Sequence, residues 1–335
     1  MATSLSNAPT SSARTWRLKA LTPIWTGDAN GAGKRLILTG LLGSLRWWFE
    51  VLVRGLCGSA CDPTQTNRCP SPQVKGPTQP QHHCVVCELF GCTGWARKFR
   101  FQAFDINGNI CQEQITKNQD FELRFTPLRP IGVEEWTLLE MTVRLIAEHG
   151  AIGGRTVYKP SNERTRAGVE HHRDYGLVKL EQAPNVSKEI GLKTLEDYVH
   201  SARWRKVDQN AFAWASLGNF WCVRQRYLAR QNSSASTFNR ALCRNERKGR
   251  SDELLGSGAA GKWLAGGRRE SKKIFSFKEP AEARRTFGFV KPGTVSFDQM
   301  KDRLRRIWPS LNDTDFAAGT PIIEALFKTE TRRER

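Results

Sequence analysis

Two pairs of cysteines sit close together in one stretch rich in Pro and Gln: "CDPTQTNRC" sets Cys61 and Cys69, and "HHCVVC" sets Cys84 and Cys87. A Cys-x-x-Cys knuckle grips one zinc ion with two thiolates, and a second pair completes a tetrahedron. The stretch has little apolar content with which to hold itself, so a structural zinc would supply its folding energy. The expected ligands are Cys61, Cys69, Cys84 and Cys87. Cys57, Cys92, His82 and His83 lie near enough in sequence to leave the set open. The wide spacing of Cys61 and Cys69 is not that of an ordinary finger. A redox role would place the Cys-x-x-Cys at the start of a helix inside a βαβ unit.

A second set of residues could hold an anion. In "HGAIGGRTVYK", Gly153 and Gly154 can expose backbone N–H groups, and Arg155 can fork onto a phosphate. The Gly-Lys-Ser/Thr ending of a nucleotide-binding P-loop is missing. Arg97, Lys98 and Arg100 interleave with Trp95, Phe99 and Phe101. Lys159, Arg164, Arg166 and Arg173 follow the glycines. Further basic clusters stand at Arg244–Arg250 and at Arg268, Arg269, Lys272 and Lys273. Hydrolytic arrangements are poor: no HExxH and no Ser/His/Asp order appear. Asp28, in the loop after the first strand, is the one acid placed where an RNA backbone could pass, and it has no visible partner for general-base work.

The chain carries 52 Lys+Arg against 33 Asp+Glu, a formal charge of +19. Such an excess draws polyanions. Leu36 to Val53 is the most apolar run, but it contains Arg46 and Glu50 and reads as amphipathic rather than membrane-spanning. Residues 1–13 are small and polar, lack the marks of a signal peptide and read as a disordered tail. A cytoplasmic location is expected, where nine cysteines are poor candidates for disulfides.

Elements must position these groups. Alternation predicts strands at Trp16–Ala20, Phe99–Ala103, Phe121–Phe125 and Tyr175–Glu181. Helical spacing predicts helices over Gly40–Gly55 and Val133–His149. In the first, Leu41, Leu45, Trp48, Phe49, Leu52 and Leu56 form one stripe. Trp47 falls on the other side, with Arg46 at the boundary. Either a second layer covers Trp47, or ring and guanidinium are offered to a nucleic acid. Residues 57–92 read as a loop-like insertion. Strand, helix, strand, strand, helix, strand is the ferredoxin-like (RRM-like) order, whose sheet often serves RNA. The expected fold class is α+β: a ferredoxin-like core over 14–181 and a mixed portion over 182–335, possibly a second ferredoxin-like half. There, Leu192–Arg203, Trp214–Arg230 and Phe297–Trp308 look helical, and 232–273 suggests long basic loops.

"LTPIWTGD", "LTGLLGSLRWWFEVLVRG", "CVVCELFGCTGWARKFRF", "GAIGGRTVYK", "RRESKKIF" and "RRTFGFV" together resemble the RAMP superfamily of CRISPR effector proteins. Within it they are most similar to the family of first RAMP subunits in type III-B (Cmr) effector complexes. The resemblance implies an RNA-binding subunit without catalysis, at the head of the complex. It would cover the 3′ end of crRNA and help capture target RNA, with crRNA, target RNA and other RAMP subunits as partners. Arg46 and Trp47 would lie where RNA or an adjoining subunit passes, and Gly153, Gly154 and Arg155 in the glycine-rich loop. Sister subunits that cut RNA carry an aspartate where this chain has Lys34 and Arg35, a departure that favours binding. The segment 160–173 lengthens the glycine loop. Two alternatives are a RAMP endoribonuclease, which needs an acid/base pair, and a zinc-containing DNA-binding regulator, which needs a basic recognition helix.

Overall fold

The computed structural model describes residues 12–27, 33–62, 64–154, 160–166, 169–184, 190–208, 211–232, 235–243, 258–267 and 270–328. Most of the tail expected at 1–13, Asp28, Arg155–Lys159, Arg244–Arg250, Arg268 and Arg269 lie outside these.

The first half runs β1 (Arg14–Ala20), α1 (Leu38–Gly55), α2 (Val85–Phe90), β2 (Phe99–Asp105), β3 (Asp120–Pro127), α3 (Val133–Glu148) and β4 (Val178–Gln182). Its strands form an antiparallel sheet ordered β2-β3-β1-β4. The second half runs α4 (Leu192–His200), β5 (Phe220–Arg224), α5 (Thr237–Ala241), α6 (Gly258–Ala265), β6 (Ile274–Phe277), β7 (Arg285–Phe289), α7 (Phe297–Arg305), β8 (Phe316–Ala318) and α8 (Thr320–Lys328). Its antiparallel sheet is ordered β6-β7-β5-β8, the same arrangement one repeat later. The fold is mixed α+β. Among the described residues no helix is long and apolar enough to cross a membrane.

Register explains the layering. In β1, Trp16, Leu18 and Ala20 are buried; Trp16 and Leu18 pair with Leu123 and Phe121 of β3 and Ala20 with Val178 of β4, which puts these residues on one face. That face packs on α1 and α3. In the second sheet both faces are buried. Phe220, Cys222, Phe287 and Phe289 face α1, while Trp221, Val223 and Ile274 face α6 and α7 through Leu264, Met300 and Leu304. The order of layers is therefore sheet, helices, sheet, helices, and α1 lies between two sheets.

Three expectations change. Trp214–Arg230 is not helical: it contains strand β5 after a turn at Leu217–Asn219. A strand buried on both faces shows no alternation, so "FWCV" carried no period to read. Residues 57–92 are not all loop, since α2 forms there with all six residues buried. Residues 232–273 contain the short helices α5 and α6.

His149 caps the C-terminus of α3. Burial, reinforced by Arg224 and Arg285, pushes its pKa down to about 3. Its neutral form is the folded form, so this contribution to stability is complete above the unfolded pKa of about 6.5 and is lost as pH falls toward 3. Urea unfolding at pH 5 should therefore show about 1–2 kcal/mol less stability from this group than at pH 7. The His149→Asn variant should lack that component of the pH dependence.

Candidate metal centre and nucleic-acid interface

The sulfur atoms of Cys61, Cys69, Cys84 and Cys87 all lie within 4.8 Å of one another, and all four residues are buried. Cys61 Sγ is 3.9 Å from Cys84 Sγ and 3.8 Å from Cys87 Sγ. A metal ion bonded to four sulfurs at about 2.3 Å in a tetrahedron spaces them by about 3.8 Å. The donor set and spacing therefore fit one tetrahedral metal ion. Backbone N–H groups support the sulfurs: Cys69 donates to Cys61 Sγ at 3.4 Å and Cys84 to Cys69 Sγ at 3.2 Å. Cys84 is the N-cap of α2, which brings Cys87 round on the first turn.

The histidines of the same stretch do something else. His83 Nε2 lies 2.6 Å from Glu88 Oε2, and His82 Nδ1 lies 2.8 Å from His83 Nδ1. Lys98 Nζ sits between Glu88 (2.5 Å) and Glu135 (2.9 Å). Trp95 stacks on the His83 ring. This chain of polar groups ties the insertion to β2 and α3. His82 and His83 are thereby engaged away from the sulfurs, Cys57 is exposed and Cys92 half-buried.

Helix α1 completes the site. Arg46 Nε donates to Glu50 Oε1 at 3.0 Å, Nη1 to the Gly91 carbonyl at 3.0 Å and Nη2 to Cys87 Sγ at 3.2 Å. Arg54 reaches the Cys61 carbonyl at 2.9 Å. Four thiolates around a divalent ion carry excess negative charge, and two guanidiniums from one helix lie against it, with Glu50 between them.

Trp47 meets its own chain. Its ring stands edge-on to Trp48 at 4.8 Å and to Phe289 of the second sheet at 5.7 Å, and it remains partly exposed. Trp48 is core, donating from Nε1 to the Ala151 carbonyl at 2.8 Å. The paired glycines also work inward. Gly153 N–H donates to Ser44 Oγ at 3.0 Å and Gly154 N–H to the Trp25 carbonyl at 2.8 Å. Gly153 has φ +115°, and a Cβ there would sit 2.6 Å from the Trp25 oxygen. Close backbone approach explains this glycine.

Lys273 is buried over the rings of Trp214 (4.7 Å) and Trp263 (5.2 Å), and Lys272 beside it is half-buried. Arg97 donates to the Phe99 carbonyl at 3.0 Å. Lys34, Arg35 and Arg100 are exposed. Arg100 lies on the outer face of the first sheet, opposite the helices. The register gathers further cations there that the sequence reading did not single out: Arg17 pairs with Glu122, Lys19 with Lys179, and Arg124 with Gln102. Arg124 lies over the Phe104 ring at 4.2 Å. Alternation in β1 and β3 was the signal that could have found them. Their acidic neighbours sit at the surface, as in Arg17–Asp120 (3.2 Å) and Arg124–Glu122 (3.2 Å). Solvent-accessible pairs of this kind hold weakly.

Protein prepared without chelators should contain about one metal ion per chain by elemental analysis; below half an equivalent, the sulfurs are not a metal centre. Cys84→Ser should release the ion and open residues 57–92 to protease, with the sheets retained by circular dichroism.

Residues 17–158 match the RAMP superfamily model. No curated protein matches the chain. Two solved structures are similar in fold at 10% identity. One is the apo form of Cmr1 from Pyrococcus furiosus, with TM-score 0.41 over 95% of this chain and 97% of that one. The other is a chain of the type III-B Cmr-beta complex bound to cognate target RNA and AMPPnP, with TM-score 0.46 over 90% of this chain and 99% of that one.

Proposed function

With the RAMP match of residues 17–158 as premise, we propose that this chain is a non-catalytic RNA-binding subunit of a type III-B CRISPR RNA-guided effector complex. It covers the 3′ end of crRNA at the head of the complex and helps capture target RNA, beside other RAMP subunits in the cytoplasm. The RAMP match is the observation that carries the reading. The "LRWWF" helix and "GWARKFRF" strand support the finer assignment, and the formal charge of +19 supports a polyanionic partner. The strand order β2-β3-β1-β4 around two helices supports a ferredoxin-like core, and its repetition at β6-β7-β5-β8 suits a second such half. The metal at the four cysteines is a structural zinc, in keeping with an all-thiolate set.

RNA contact is assigned to the first sheet's outer face, through Arg17, Lys19, Arg100 and Arg124, with Lys34 and Arg35 near its end. Arg155, beside the glycines, remains part of the proposed set. Arg46, Lys98 and Lys273 serve structure. Lys34 and Arg35, where cutting relatives place their aspartate, support binding without cleavage.

Each phosphate neutralised on a single strand contributes a slope of about −0.7 in log K against log salt, so three to six contacts give roughly −2 to −4. Arg100→Gln should reduce that slope by one such step, whereas Lys98→Gln, between two carboxylates, should lower stability instead. RNA incubated with the purified chain and divalent metal should stay intact. Site-specific cleavage lost in Asp28→Ala would overturn the non-catalytic reading.

A further inference from the structure

Two cavities meet where the C-terminus of α3 passes between the sheets. One, of about 700 Å³, lies against Lys19 and Lys179 of the first sheet and Arg224 and Arg284 of the second. The other, of about 750 Å³, lies against His149, Cys222, Arg226 and Thr314. Glu148, Arg224 and Gln225 line both, so the two form one trough. Each part is within the range of about 300–1,000 Å³ common for ligand sites.

Basic side chains outnumber carboxylates on its walls, seven against Glu148, Glu181, Glu282 and Asp315, which favours an anion beside a polar group. Arg285 donates to the carbonyls of Ala147 at 2.9 Å and Gly150 at 3.2 Å. This covers the negative end of α3, which would otherwise repel a phosphate. Arg224 is 56% exposed, and its contact with Glu148 is long at 3.6 Å, so the guanidinium can turn to a ligand. His149 is only 5% exposed, yet its Nδ1 has no hydrogen-bond partner among the described residues. Burial and the neighbouring arginines hold the imidazole neutral, with one nitrogen a donor and the other an acceptor. An orphaned buried polar atom costs free energy unless a ligand or water meets it. The 2′-hydroxyl of a ribose both donates and accepts, so it suits either tautomer.

We propose that this trough seats part of a single RNA strand, with a phosphate on Arg224 and a ribose 2′-hydroxyl on His149 Nδ1. The site rests on the RNA-binding reading above and adjoins the outer sheet face at Lys19 and Lys179, while Arg224 and His149 belong to the trough alone. Two joined cavities suit a strand better than a lone nucleotide.

Binding of fluorescent uridine decamers, ribose and deoxyribose, to the full chain tests it. Arg224→Gln should weaken the RNA decamer roughly tenfold, as expected for a charge-assisted hydrogen bond. It should also lower the salt slope by about 0.7. His149→Phe should erase the preference for ribose while leaving the deoxyribose affinity in place, and His149→Asn, which keeps a polar atom near Nδ1, should restore part of it. Thermal midpoints of the variants check folding. Wild-type affinity and ribose preference in Arg224→Gln and His149→Phe, with Arg100→Gln impaired, would overturn the trough and leave the RNA-binding reading standing. Free uridine monophosphate competing as well as the decamer would overturn the strand. A wild-type chain that binds no RNA would overturn both readings.

Discussion

Helix α1 is enclosed on most of its surface, with only Thr39 and Gly43 of its first turns exposed, and the rest of the molecule is arranged around that enclosure. Its stripe of Leu41, Leu45, Trp48, Phe49 and Leu52 packs on the first sheet, while Val51, Val53, Glu50 and Arg54 are buried as well. A helix apolar on one stripe normally presents its other side to water. Here the second sheet meets Trp47 and Trp48 through Phe220, Phe287 and Phe289, and the cysteine stretch covers Arg46 and Arg54. Burying two arginines is costly unless each is bonded. Glu50, the carbonyls of Gly91, Cys61 and Ala215 and the Cys87 sulfur supply those bonds. The cysteine cluster and the helix thus stabilise each other.

This arrangement sorts the cations. Those that the elements draw inward hold parts together: Arg46 and Arg54 at the cysteines, Lys98 between Glu88 and Glu135, Lys273 over two tryptophans, Arg285 on the end of α3. Those left at the surface stay open to solvent, and register collects several on the outer face of the first sheet, which no helix among the described residues covers. A basic residue in sequence does not declare which group it joins. Arg97, Lys98 and Arg100 are near neighbours, yet Lys98 is enclosed by carboxylates, Arg97 bonds the backbone and Arg100 is exposed.

Legibility followed burial. The first half could be read because each strand there is buried on one face and alternates, and because the apolar residues of α1 and α3 recur at helical spacing. The four cysteines could be read because thiolate chemistry ties spacing to geometry. Strand β5 could not, since burial on both faces removes alternation. The inward roles of Glu50 and Arg54 could not, because they depend on layers contributed by residues 57–92 and by the second sheet. Gly153 and Gly154 looked like phosphate ligands, yet their N–H groups serve Ser44 and Trp25; a glycine pair reads alike whether a ligand or a backbone approaches.

The sandwiching of α1 also bears on how the chain is made. On the ribosome the first sheet, α1 and α3 emerge complete, while the aromatic layer that covers them is still to be translated. At about 5–20 residues per second, the remaining stretch takes on the order of ten to thirty seconds. Through that interval the far side of the helix bundle, with Trp47 and the rim of Trp48, stands open to water as an apolar surface. The cysteine stretch, by contrast, lies wholly within the part already synthesised. An ion held early by the four sulfurs would secure Arg46 and Arg54 and would guard the nascent half until the second sheet closes over it.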